Sequence, residues 1–326
     1  MELTYTDAGR RDIGLVEAEG DFDCGASEDD FELTWPSNLP LPAMGAIVYC
    51  EGTDIGGVVR GWDTTGDAPK VSGVTWTGFL SEHVIGPNAG QAYLTLNSTW
   101  KNIVSQLVSR AAFGGVVVVA GADGPNFSHT FKGSRDSAQG EAGRYMSCWN
   151  AIWQCMLEHG LTVRAVWGGD PVRLTLSCDT STDWSTTDEL PTDALTVRIK
   201  RKSVVNHLIC LGAGEGAARE VLHLYCDKQG IISTKQSQKG PWEIADTYDY
   251  PGSTTLEKDG RKRLTELWRS AQTVDAQIPD GLGLTVDLGD LVGGVDLRTG
   301  VSAKAVVSRK RTHVPEGTTE YETTLR

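Results

Sequence analysis

Val204-Val-Asn-His-Leu-Ile-Cys-Leu211, Gly212-Ala-Gly-Glu-Gly-Ala-Ala-Arg219 and Glu220-Val-Leu-His-Leu-Tyr-Cys-Asp227 run consecutively in a chain of 326 residues. The outer two are apolar runs of strand length, and the middle one holds residues that permit positive φ, so the stretch reads as a β-hairpin. Two other readings compete for it. The Gly212, Gly214, Ala217 spacing is like a dinucleotide loop, but such a loop needs a helix directly after its glycines to present backbone N–H groups to phosphate. Glu220 to Cys226 alternates with period two instead, so no nucleotide site is expected. His207/Cys210 and His223/Cys226 have the spacing of zinc-ligand pairs. In a regular strand, residues i and i+3 point to opposite faces, so each pair chelates only across a turn or bulge, and the four read as ordinary half-buried strand residues. Whether they hold a metal is left open by the sequence, and no cofactor is expected.

Outward from the hairpin, Leu195–Lys200 reads as a strand before it. After it, Thr254-x-x-Glu257 has the form of a capping box. A helix with Leu256, Leu264, Leu267, Trp268, Ala271 and Val274 on its apolar face follows and ends before Pro279. The strands Leu282–Leu288, Val301–Arg309 and Glu320–Leu325 close the chain. Asp179 to Asp193 is rich in Ser, Thr and Asp and marks a linker. Before it lies a second module of the same plan. Short strands occupy the chain up to Phe79. Asn97-Ser98-Thr99 is placed to cap a helix carrying Trp100, Ile103, Val104, Leu107, Val108 and Ala111. A buried strand at Val116–Val119, a helix from about Arg144 to His159 ended by Gly160, and strands near Leu161–Trp167 and Val172–Cys178 complete it. A fainter repeat joins the halves: Met44-Gly45-Ala46-Ile47-Val48 followed by Gly57-Val58-Val59 parallels Leu288-Gly289-Asp290-Leu291-Val292 followed by Gly300-Val301-Ser302. In each, a glycine starts a short strand and a second glycine starts the return strand.

Composition bounds the possibilities. Ten Trp residues and 39% hydrophobic content suit several compact cores rather than a disordered chain. No basic and apolar leader opens the sequence and no apolar run approaches membrane length, so a soluble chain without a signal peptide is expected. Seven cysteines, an odd number without framework spacing, point to buried thiols and a reducing compartment. The net charge of −13 is uneven: residues 1–163 hold 20 acidic and 9 basic side chains, residues 164–326 hold 23 and 21. Basic clusters at Arg198/Lys200/Arg201/Lys202, Arg261/Lys262/Arg263 and Arg309/Lys310/Arg311 sit among acids and lack interleaved aromatics, which argues against specific nucleic-acid binding.

From Leu15 the chain alternates, with Glu17, Glu19, Asp21 and Asp23 on one side and Ala18, Gly20, Phe22 and Cys24 on the other. Two meanings compete, a solvated strand face and an acidic wall on a channel. Asp63-Thr64-Thr65-Gly66 and Asp179-Thr180-Ser181 have the form of the paired loops of aspartic proteases, but the residues after Asp63 are not the apolar strand such a loop needs. With no nucleophile elbow, no His-Glu-x-x-His and no Gly-Lys-Ser/Thr, an enzyme is not expected. Two alternatives remain in view: a carbohydrate- or receptor-binding protein stacking sugars on Trp35, Trp62, Trp76 or Trp242, and an acid hydrolase using Asp63 and Asp179.

Four stretches together resemble the tail hub family of long-tailed bacteriophages, the baseplate hub or minor tail proteins. They are Val74-Thr-Trp-Thr-Gly-Phe-Leu80, a glycine-bearing strand before a helical insertion; Asn206 through Gly212-Ala-Gly214-Glu215 to Arg219, a hairpin; Gly260-Arg-Lys-Arg-Leu264, a helix; and Asp287-Leu288-Gly289-Asp290-Leu-Val, a strand followed by the Thr299-Gly300 turn. The resemblance implies an α+β, mainly β fold with two tube-like β-barrel modules, each with an insertion. On this chain the parts fall at 1–80, 81–190, 191–240, 241–281 and 282–326. It implies a homotrimer at the tail tip, adapting a sixfold tube to threefold tip proteins. The implied partners are the tail tube or distal tail protein, other tip proteins and the tape measure protein. Genome DNA passes through without specific binding, and assembly occurs in the host cytoplasm. Glu17, Glu19, Asp21 and Asp23 would then line the channel and repel phosphate. No cell-wall hydrolase segment follows Arg326, so no lytic role is expected.

Overall fold

The structure, a computed structural model, describes residues 1–25, 30–133, 143–169, 171–184, 196–201, 203–270, 272–277, 286–295 and 302–325. Two compact units are present, Met1–Val197 with Ala276–Thr323, and Arg198–Asp275 with Thr324–Arg326. The fold is mainly β with a few helices. None of the described helices is long and apolar enough to cross a membrane.

In the larger unit, seven antiparallel strands open the chain: β1 (Leu3–Thr6), β2 (Asp12–Val16), β3 (Glu19–Gly25), β4 (Asp30–Thr34), β5 (Ile47–Tyr49), β6 (Gly56–Asp63) and β7 (Lys70–Thr75). Their order in the sheet is β3-β4-β7-β6-β5-β1-β2. Period-two patterning sets their faces, as in β4, where Phe31 and Leu33 are buried between exposed Asp30, Glu32 and Thr34. Leu3, Phe22, Phe31, Leu33 and Trp35 form the core beneath them. The expected strand Val74–Leu80 stops at Thr75 and becomes helix α1 (Trp76–Ser81). Trp76 and Leu80, four residues apart, both bury on one helical face, and Trp76 stacks on Trp167 with ring centres 5.7 Å apart.

The inserted layer contains β8 (Val84–Ile85), β9 (Leu94–Thr99), α2 (Trp100–Ala111), β10 (Val117–Gly121), β11 (Asn126–Phe131), β12 (Met146–Ser147), α3 (Cys148–His159), β13 (Leu161–Gly168) and β14 (Arg173–Thr180). α2 buries the six residues its spacing predicts. Thr99 stands at the N-cap of α2 with extended backbone, as expected, but makes no side-chain cap bond, and Asn97 and Ser98 end β9 in pairing with β11. α3 begins at Cys148 rather than near Arg144, because Ser147 Oγ there accepts the Asn150 N–H at 3.1 Å, and left-handed Gly160 ends it. β13 and β10 flank β14, the first antiparallel and the second parallel to it. Trp100, Trp149 and Trp167 fill the core between α2, α3 and these strands.

The smaller unit holds β16 (His207–Leu211), β17 (Val221–Cys226), β18 (Ile232–Ser233), β19 (Ala245–Asp249) and helix α4 (Leu256–Ser270), preceded by β15 (Thr196–Arg201) and followed by β20 (Gln272–Gln277). β16 and β17 are the hairpin read from sequence, with β19 added parallel to β16. α4 covers one face through Leu256 and Leu264 packed on Leu208, Cys210, Leu224 and Cys226. The box Thr254/Glu257 does not form. The helix opens one residue after Thr255, and the Asp259 carboxylate accepts the Ser253 hydroxyl at 2.6 Å. Val274, expected on the helix, lies in β20.

The chain's last strands, β21 (Leu291–Val295), β22 (Ser302–Val314) and β23 (Thr319–Leu325), return to the larger unit. β22 pairs with β23 and, along its length, first with β21 and then with β3. Most of the expected strand Leu282–Leu288 lies outside the described residues, and Asp287–Asp290 forms a turn.

Two segments far apart in sequence have the same hydrogen-bond pattern. In Ala43-Met44-Gly45-Ala46, the Ala46 N–H donates to Ala43 O at 3.0 Å, Gly45 has φ +84°, its N–H donates to Val59 O at 2.9 Å, and Val59 N–H returns to Ala46 O at 2.8 Å. In Asp287-Leu288-Gly289-Asp290, the corresponding values are 3.1 Å, φ +93°, 2.9 Å to Val307 and 2.8 Å back to Asp290. The paired strands then continue in the same register, Ile47 opposite Val58 and Leu291 opposite Val306. Both are turns with glycine at the third position, where positive φ is needed.

Candidate functional site: two faces of the β22 strand

β22 alternates cations with the pleat. Arg309, Arg311 and His313 lie on one face and Lys310 on the other, so the basic cluster seen in sequence is divided between two environments.

On the first face, β22 runs antiparallel to β3 with Arg311 opposite Asp23 and His313 opposite Asp21. Asp23 is buried. Arg311 Nε donates to both its carboxylate oxygens, at 3.1 and 3.0 Å, and Arg309 donates to Oδ1 at 2.8 Å. Arg309 also reaches Glu322 on β23 at 2.9 Å. Asp21 meets His313 Nδ1 at 2.5 Å. Further across the sheet, Glu32 on β4 pairs with Lys70 on β7. The expected run of four carboxylates on one strand is therefore corrected. Glu17 falls in the break between β2 and β3, Glu17 and Glu19 are exposed, and Asp21 and Asp23 are matched by cations from β22. The reason is cross-strand pairing: opposite charges meet directly across an antiparallel ladder.

The second face holds a charge cluster around a buried lysine, with half-buried carboxylates, that sequence reading missed. Lys310 is 7% exposed, with Nζ 2.5 Å from Asp54 and 3.9 Å from Asp287. Burial alone raises a carboxyl and lowers an ammonium, but Lys310 overcomes it for Asp54, whose pKa is lowered, and Asp54 overcomes it for Lys310, whose pKa is raised. Asp287, farther from Lys310, is pushed up to about 6, chiefly by burial and with Asp54 adding to it. Alternation around Lys310 was the only sequence signal for this site.

Asp290 sits beside this cluster. Its carboxylate accepts the Thr182 N–H at 2.8 Å, the Trp184 indole N–H at 2.9 Å and the Asp287 N–H at 3.0 Å. Burial raises it against these three bonds. Gly289 is needed there, since a Cβ would lie 2.5 Å from Leu161 O, and Leu288 O accepts the Thr162 hydroxyl at 2.7 Å. The Leu-Gly-Asp stretch is thus a latch for the ends of the inserted layer. Gly300 lies outside the described residues.

The hairpin residues have structural partners. The Asn206 side chain donates to Trp242 O at 2.7 Å and accepts from Ile244 N–H at 3.1 Å. Gly212 leaves no room for a Cβ against Glu220 and Leu256, Gly214 has φ +97°, and Glu215 is exposed. Arg219 binds Gly212 O at 3.3 Å and pairs with Asp249. His207 and His223 share one face of the hairpin, joined at 2.8 Å, with Glu243 at 2.6 Å from the other His207 nitrogen. Cys210 and Cys226 are buried on the opposite face under α4. Strand geometry therefore separates the His and Cys of each pair.

Trp35 and Trp76 are core residues, leaving Trp62 and Trp242 exposed. Asp63 caps its own turn through the Thr65 N–H at 2.8 Å, and Asp179, at the end of β14, takes the N–H of Thr180 at 2.7 Å.

No protein-family model matches the chain, and no curated protein sequence matches it. Solved structures do. The 43 kDa tail protein of prophage MuSo2 from Shewanella oneidensis superposes with a TM-score of 0.55 at 12% identity, covering 100% of this chain and 98% of that one. The tail protein from Neisseria meningitidis MC58 gives 0.52 at 16% identity, covering 99% and 95%. This chain has the fold of these tail proteins over its whole length.

Proposed function

We propose that the protein is a structural, non-enzymatic component of a phage tail, and that it forms the trimeric hub at the tail tip. In this reading each chain contributes two tube-like strand modules, one from the N-terminal strands and one built with the second hairpin. Three chains make a ring of six similar modules that accepts a sixfold tube above and threefold proteins below. The carrying observation is the repeated turn and hairpin at 43–59 and 287–307, which has the same hydrogen bonds and strand register in both copies. The tail-protein fold supports the same reading. Its partners would be the tail tube or distal tail protein, other tip proteins and the tape measure protein, with assembly in the host cytoplasm and residence in the virion.

The face carrying Glu17, Glu19, Asp21 and Asp23 is assigned to the channel. With Asp21 and Asp23 matched by cations, Glu17 and Glu19 are left as the exposed repulsive charge toward passing DNA. Light scattering of the isolated protein and its copy number in purified particles test the proposal. Three chains per complex and per particle are expected. A strict monomer absent from particles refutes the hub, and an image of the particle with Glu17 and Glu19 on the outer wall refutes the channel assignment.

A further inference from the structure

A second cluster, within the inserted layer, has no part in the hub reading. β11 alternates so that Phe127, His129 and Phe131 turn inward, placing one imidazole among aromatic rings. His129 is 7% exposed, and it lies beside the last two residues of α3, Glu158 and His159. His159 stacks on Phe127 with ring centres 3.7 Å apart. His129 Nδ1 is 3.2 Å from Glu158 Oε2, while the Nε2 atoms of both His129 and His159 are buried without a hydrogen-bond partner. One ligand atom from each of the three residues lies within 4.8 Å of the others. Two inward nitrogens without partners are unusual, because buried polar atoms are normally satisfied.

We propose that His129, Glu158 and His159 form a zinc(II) site, the imidazoles binding through nitrogen and Glu158 through a carboxylate oxygen. Two imidazoles with one carboxylate suit zinc, a borderline cation that accepts nitrogen and oxygen in tetrahedral geometry. Calcium and magnesium prefer all-oxygen shells. The Glu158 side chain is 63% exposed, so water reaches the remaining coordination position and the ion has an entry path. The residues come from β11 and from the end of α3, so the ion would tie a strand of the two-stranded β9/β11 sheet to the helix beside it.

The test is titration of the full-length, chelator-treated protein with zinc chloride, read by calorimetry and by elemental analysis after dialysis. Cobalt(II) absorption reports the ligand geometry. One zinc per chain is expected, with a rise in melting temperature and tetrahedral-type cobalt bands. Glu158→Gln and His159→Gln are each expected to weaken binding at least ~10-fold, the loss typical of a removed contact in such a site. Glu158 is exposed enough that Glu158→Gln folds normally, which circular dichroism checks. His223→Gln, in the separate His207/His223/Glu243 group, is expected to bind zinc like the parent. No saturable uptake, uptake unchanged in both Glu158→Gln and His159→Gln, or uptake lost in His223→Gln overturns the proposal.

Discussion

Replacing Lys310 with Met keeps most of the aliphatic stem and removes the charge, which isolates the electrostatics of the second face of β22. In the parent, Nζ sits 2.5 Å from Asp54 and 3.9 Å from Asp287, with Asp290 close by. Without it, the half-buried Asp54 and Asp287 are left with Arg164 as a cation acting on both, and the buried Asp290 lies beside them. Removing one partner of a buried pair costs roughly 3–5 kcal/mol, because the other charge stays buried and uncompensated. The cost must depend on pH. Asp287 already has its carboxyl raised to about 6, so its neutral form is favoured in the folded state. Such a group adds stability below the unfolded carboxyl range and loses it as pH rises through its folded value, by about 3 kcal/mol over two units. In the variant, Asp54 loses the cation that lowers it and joins Asp287 on the raised side. The deficit of Lys310→Met is therefore expected to be small near pH 4, at the unfolded carboxyl value, and full near pH 8. Urea unfolding followed by tryptophan fluorescence at both values measures it. Adding Asp54→Asn to the variant should recover at least half the loss at the higher pH. A deficit that is equal at both pH values, or below ~1 kcal/mol at the higher one, refutes the account of a paired, desolvated cluster.

On the opposite face, Asp23→Asn strips two guanidinium groups of their shared carboxylate and should cost about 3 kcal/mol, whereas Glu19→Gln, on an exposed neighbour, should stay within ~0.5 kcal/mol; thermal melts of the two variants compare them. Gly289→Ala meets both positive φ and a carbonyl 2.5 Å from the new Cβ, while Gly45→Ala meets positive φ with nothing within 4 Å. The first should cost well over ~2 kcal/mol and the second about 1 kcal/mol, so equal melting shifts would contradict the close approach of Leu161 to the turn. Asp63→Asn with Asp179→Asn should leave the melting temperature within about a degree, since both carboxylates are exposed and each accepts a neighbouring backbone N–H.

What sequence could supply was local. The stripe of α2 and the glycine-hinged hairpin at Leu211–Glu220 are set by residues close in the chain, and period alone identified them. What it could not supply depended on partners hundreds of residues away. Whether Glu19 to Asp23 formed a bare wall or a paired ladder was decided by β22, whose Arg309 is 286 positions from Asp23. Trp35 and Trp76 looked like platforms because nothing nearby revealed what would cover them. Val74–Leu80 misled for a different reason: its apolar content suits both periods, and burial of Trp76 and Leu80 against the inserted layer chose the helix.

The two hairpin copies show how one backbone solution takes on different duties. The requirements common to both are few: a residue at the third turn position that tolerates φ near +90°, and apolar residues on the strand that follows. Glycine and a short hydrophobic run meet them, which is why Met44–Val48 and Leu288–Val292 need share little else in sequence. The position after the glycine is not so constrained, and there the two segments differ. Ala46 is fully buried in the apolar core of the N-terminal strands. Asp290 is almost equally buried, yet its carboxylate takes three hydrogen bonds, two of them from Thr182 and Trp184 at the end of the inserted layer. A buried aspartate is tolerable only with such satisfaction, so the burial of Asp290 and the docking of residues 182–184 depend on each other. The second copy therefore combines a strand-forming role with a latch, and an Asp290→Ala variant, which restores the residue of the first copy, should keep the turn and strand pairing while releasing the 182–184 segment to faster amide exchange.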